Sequence, residues 1–106
     1  MFGTNCYLAE NATVVGDVVM GDDCSVWFNS VVRGDVNSIR IGNQVNIQDG
    51  AVLHCTFEKT TLSIGNSVSI GHNALVHGCT IEDFVLVGDR KSTRLNSSHT
   101  VISYAV

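Results

Sequence analysis

The sequence has no proline, no CxxC pair and no apolar run approaching the ~20 residues of a membrane-spanning helix. Lys and Arg together number 6 against 10 Asp and Glu, for a net charge of −4, and no basic cluster stands in the repeat region described below. The electrostatic footprint of a nucleic-acid-binding protein is therefore missing. Charged residues make up only 15% and hydrophobic ones 44%, which excludes an intrinsically disordered chain. The opening MFGTNCYLAENATVV has neither the basic n-region nor the apolar h-region of a secretory signal. Cys6, Cys24, Cys55 and Cys79 match no disulfide framework and no zinc ribbon. They read as reduced thiols of a cytoplasmic protein. At 106 residues the chain has room for one small domain.

What is present is a beat of six. Aliphatic residues recur at Leu8, Val14, Met20, Val26 and Val32; after a three-residue insertion the beat resumes at Ile41, Ile47 and Leu53. A longer insertion, 57–63, precedes Ile64, Ile70 and Val76, and then come Ile81 and Val87. Four residues after each stands a small or β-branched residue: Ala12, Val18, Cys24, Ser30, Val36, Val45, Ala51, Val68, Ala74, Thr80 and Val85, with Phe57 and, past the last beat, Lys91 as the exceptions. Glycine often follows the aliphatic directly, at Gly21, Gly42, Gly65, Gly71 and Gly88. A period of six fits neither an amphipathic helix nor a lone strand. It fits short strands separated by corners, three to a coil, with coils stacked ~4.8 Å apart by parallel backbone hydrogen bonds. The expected fold is all-β, a parallel β-helix solenoid. In it the aliphatics point inward, small residues fill the corners, and the glycines supply corner dihedrals.

Stacking assigns the hexads to three faces. Face A takes Leu8, Val26, Ile47, Ile70 and Val87; face B takes Val14, Val32, Leu53 and Val76; face C takes Met20, Ile41, Ile64 and Ile81. The residues just after the face-B aliphatics form a ladder of Val15, Arg33, His54 and His77. His54 and His77 are then one coil apart, a separation that suits two imidazoles on one zinc. His72 falls on face A, one coil from Asp49, with Gln48 beside it. If all three histidines ligate one ion, His72 comes from a neighbouring chain in a head-to-tail cyclic trimer. Spacing alone leaves solvated surface histidines as an equal alternative.

At these residues the sequence resembles the γ-class carbonic anhydrase-like family of hexapeptide-repeat proteins. The matching motifs are SVWFNSVVRGD (25–35), NIQDGAVLH (46–54) and IGHNALVHGC (70–79), in family order. The resemblance implies a left-handed β-helix, a homotrimer and a metal ion, zinc or iron, at each subunit interface. It maps the ligands onto His54, His72 and His77, with His72 from the adjacent subunit. Three imidazoles also suit cobalt. It implies that Arg33 and Asp35 make subunit contacts and order the site. Gln48 would bond the metal-bound water, and Asp49 would support it. Metal-bound hydroxide would add to CO2 to give bicarbonate, making the chain a carbonate dehydratase-like lyase.

The sequence departs from the family in two places. Val36 stands where the archetypal enzyme has a glutamate after the RxD aspartate, and the acidic loop is short, leaving Glu58 as the one candidate proton shuttle. Glu58 also reads as a solvated loop charge. Trp27 and Phe28 are expected to pack at a subunit interface or to cover the solenoid, and Cys55 and Cys79 to be structural. Two other function classes compete. One is a hexapeptide-repeat acyltransferase or thioesterase; the other is a non-catalytic metal-binding scaffold. Residues 1–88 are expected to form the repeat domain. The beat stops after Gly88, and DRKSTRLNSSH resembles a frame translation of a sequencing-adapter oligonucleotide. Residues 89–106 therefore read as a sequencing artefact, His99 is not counted as a site residue, and the chain reads as a fragment without the family's C-terminal helix.

Overall fold

The computed structural model describes residues 1–55 and 61–88. Glu58 and the segment 89–106 lie outside the described residues. The elements are β1 (Tyr7–Leu8), β2 (Thr13–Met20), β3 (Ser25–Val26), β4 (Val31–Ile41), β5 (Asn46–Ile47), β6 (Val52–His54), β7 (Leu62–Ile64), β8 (Ser69–Ile70), β9 (Leu75–Val76), β10 (Thr80–Ile81) and β11 (Leu86–Val87). No helix occurs among the described residues, and so none is long and apolar enough to cross a membrane. Every strand pair is parallel, each strand hydrogen-bonded to the strand one coil on. The fold is a left-handed parallel β-helix.

The three ladders have the expected register. Leu8, Val26, Ile47, Ile70 and Val87 stack on face A in the order β1-β3-β5-β8-β11. Val14, Val32, Leu53 and Val76 stack on face B. Met20, Ile41, Ile64 and Ile81 stack on face C. Strands β2 and β4 run through a corner and serve both B and C. The inward side chains from Val26 to Val87 on face A and from Val32 to Val76 on face B are buried to 1% exposure or less. Burial of each is worth roughly 1.5–3 kcal/mol. The first coil is less covered: Leu8 is 40% exposed and Val14 half-buried.

Two corner expectations need correction. Val36 and Thr80 do not fill the inward corner; both are exposed. The insertion after Gly34 is absorbed as a register shift opposite Gly16 and Val18, and the inward ladder becomes Val18, Ile39 and Leu62. Below Leu62 the inward place goes to Cys79, one residue before Thr80. The second correction concerns glycine. Gly21, Gly42 and Gly65 do not have positive φ; on their corner, between faces C and A, the left-handed residues are Asn5, Asp23, Gln44, Ser67 and Phe84. The glycines are needed for space. The side-chain oxygens of Asn43, Asn66 and Asp83 from the next coil occupy the volume a Cβ would take at Gly21, Gly42 and Gly65. Those same oxygens accept backbone N–H groups of Asp22 (2.8 Å), Asn43 (2.7 Å) and Asn66 (2.7 Å).

Candidate metal centre

Strand β4 pairs with β6 so that Arg33 lies opposite His54. Strand β6 pairs with β9 through Leu53 and Val76, and the next residue of each chain direction is a histidine. The His54 and His77 rings meet edge to face, with centroids 4.4 Å apart at 67°. Alternation along a strand explains the placement: Leu53 and Val76 point into the core, so their successors point out. Both histidines are half-buried. Burial, and secondarily the charge of His54, pushes the His77 imidazole below its ordinary pKa. A neutral imidazole with a free lone pair is the form that binds a metal.

Above this pair, Arg33 donates from Nη2 and Nε to Asp35 Oδ2, at 2.9 and 3.2 Å. Hydrogen bonding from Arg33 holds the Asp35 carboxyl below its usual range. The pair is exposed, which makes it a weak structural element. The Arg33 charge is thereby directed along its own strand.

His72, Asp49 and Gln48 belong to the corner between faces A and B. His72 and Asp49 are exposed in stacked turns, and Asn73 N–H donates to the Asp49 carbonyl at 3.0 Å. Gln48 is half-buried, and its Nε2 donates to Asn46 Oδ1 at 3.2 Å. Within one chain the fold thus brings together His54 and His77 but not His72. Among the described residues no three His, Cys, Asp or Glu side chains converge on one point. His54 and His77 offer two imidazole donors from face B, and among the described residues of the same chain no third donor joins them.

Cys79 and Cys55 lie beside the histidines in sequence but are buried in the core. Burial, with a smaller contribution from Cys55, drives the Cys79 thiol up to about 11. Burial also raises Cys55, whose Sγ donates to the Ser38 carbonyl at 3.3 Å. Neither offers a thiolate near neutral pH. Trp27 and Phe28 are exposed, and the Trp27 ring packs tilted against Tyr7, with centroids 4.8 Å apart at 44°. One site-adjacent residue is not marked by the spacing argument: Ser30, whose Oγ donates to the Gln48 carbonyl at 2.6 Å. Its signal in the sequence is slight, a hydroxyl at a ladder position otherwise held by Ala12, Ala51 and Ala74.

No protein-family model matches the chain. Among curated proteins, a probable carbonic anhydrase of Methanocaldococcus jannaschii is 56% identical over 88 residues, covering 83% of this chain and 55% of that protein. A carbonic anhydrase of Geobacillus kaustophilus is 40% identical over 84 residues, 79% of this chain and 46% of that protein. The mitochondrial gamma carbonic anhydrase 2 of Arabidopsis thaliana is 44% identical over 89 residues, 77% of this chain and 31% of that protein. The chain spans about half the length, or less, of these relatives. Over most of its length it is γ-carbonic anhydrase-like in sequence.

Proposed function

We propose that this γ-carbonic anhydrase-like chain interconverts CO2 and bicarbonate at a zinc site shared between subunits of a homotrimer. The observation that carries the reading is the 4.4 Å contact between the His54 and His77 rings, two imidazoles presented on the same side of adjacent coils. His72 of a neighbouring subunit would complete a three-histidine set, since this chain's own His72 stands on a different corner. Zinc, iron and cobalt are all compatible with three imidazoles. The bound ion supplies Lewis acidity that brings the pKa of water to ~7.

The chain's own residues would do the rest. Gln48 has a carboxamide free to orient water through its oxygen, because its nitrogen is already committed to Asn46. Arg33, tied to Asp35, places positive charge one coil above His54, where it favours a bicarbonate-like anion. Asp49 holds the turn that carries His72 through its carbonyl. Glu58 is the proposed route for protons, and Val36 leaves no carboxylate at the neighbouring position. Four free thiols among the described residues support a reducing compartment such as the cytoplasm.

The test combines metal content with turnover. Purified protein loaded with Zn2+ should hold one ion per chain and should hydrate CO2 in a stopped-flow assay. His72→Ala should abolish both. Stoichiometric metal without turnover would leave a metal-binding scaffold; turnover of an acyl-CoA instead of CO2 would point to the transferase or thioesterase class.

A further inference from the structure

Ser30 is the only buried polar side chain among the described residues, with no exposed surface at all. It closes one of four stacked turns on the corner between faces A and B. In each, the N–H of the fourth residue donates to the carbonyl of the first: Ala12 to Ala9 (3.0 Å), Ser30 to Trp27 (3.3 Å), Ala51 to Gln48 (3.2 Å) and Ala74 to Gly71 (3.2 Å). Alanine suffices at three of these fourth positions. At the remaining one a hydroxyl reaches down a coil and donates to the Gln48 carbonyl at 2.6 Å. That carbonyl therefore accepts twice, from Ser30 and from Ala51.

The turns are also tied to one another. Gly50 N–H donates to the Phe28 carbonyl and Asn73 N–H to the Asp49 carbonyl, each at 3.0 Å. Gly50 has φ +76°, and Asn73 Oδ1 occupies the place of a Cβ there, so the two turns are in close contact. The peptide between Gln48 and Asp49 is thus pinned on one side by Ser30. The next carbonyl along, that of Asp49, fixes the amide that follows His72. A buried hydroxyl bond of this kind is worth more as orientation than as net stability, because a buried carbonyl loses little when one of its two donors is removed.

We propose that Ser30 is a positioning residue for the metal centre: its hydroxyl sets the height and tilt of the Gln48–Asp49 peptide and, through it, the position of His72. The inference rests on the metal reading above. Its test uses the full chain with Co2+ as the probe, followed by visible absorption, together with amide hydrogen exchange. Ser30→Ala should weaken Co2+ binding ~10-fold, as loss of a partner behind a metal ligand typically does. It should also speed exchange of the Asn73 and Ala51 amides selectively. Ile64→Val, a core truncation of comparable cost on face C, is the control and should change neither. Equal weakening by both variants would reduce Ser30 to general stability and overturn the proposal. Wild-type affinity and spectrum in Ser30→Ala would overturn it as well. Failure of the wild-type chain to bind Co2+ would instead defeat the metal reading, and the site role of Ser30 with it.

Discussion

The Asn66 side-chain oxygen accepts the Asn43 N–H at 2.7 Å while filling the space a side chain at Gly42 would need. One carboxamide thus joins two coils and dictates the residue type in the coil above. Asn43 does the same to Asp22 and Gly21, and Asp83 to Asn66 and Gly65. The corner between faces C and A is a column of such contacts.

Gly42→Ala should therefore be destabilising although Gly42 has an ordinary φ. The new methyl meets the Asn66 oxygen and, at 2.8 Å, the Gly65 carbonyl. A loss of ~1–3 kcal/mol, as for overpacking, is expected from urea denaturation. Asn66→Ala removes one of the two obstacles, so the double variant should cost less than the sum of the singles.

Leu53 is fully buried directly before His54 and stacks between Val32 and Val76. Leu53→Ala should cost ~2–5 kcal/mol, the usual range for a buried leucine. Because the cavity lies behind the ligand pair, metal affinity should fall along with stability. An equilibrium metal titration below the unfolding transition separates the two effects.

If the third ligand comes from a neighbouring subunit, His72→Ala and His54→Ala should each abolish Co2+ binding alone. Mixed after co-refolding, the two variants should regain part of the absorption, since some interfaces then pair an intact His54 and His77 with an intact His72. No recovery would place all ligands within one chain or remove the site.

The Cys79 thiol offers a pH test. Its pKa is pushed from 9.0 to about 11 in the folded chain. Above pH 9 the unfolded chain releases this proton while the folded chain keeps it, so stability falls as pH rises from about 9 to about 11. Below that window the group contributes no dependence. In Cys79→Ala the slope of unfolding free energy against pH between 9 and 10.5 should be shallower. Native Cys79 should also resist thiol reagents at pH 8 and react only on unfolding.

The sequence by itself determined the coil. A solenoid places in contact residues one coil apart, so a six-residue beat carries the register of all three faces, and with it the His54–His77 pairing. That is why Arg33, His54 and His77 could be aligned from spacing, and why His72 could be set on another corner. Local exceptions were beyond such counting. Whether Val36 or Ile39 takes the inward place depends on where an insertion bulges out, which backbone pairing decides. The need for glycine at position 42 comes from a side chain that is 24 residues away in sequence, Asn66, and the partner of the Ser30 hydroxyl is a carbonyl in the next coil. Periodicity reports which residues share a column. Only the tertiary structure decides which atoms within a column meet, because that depends on side-chain direction and corner geometry at distances of a few ångströms.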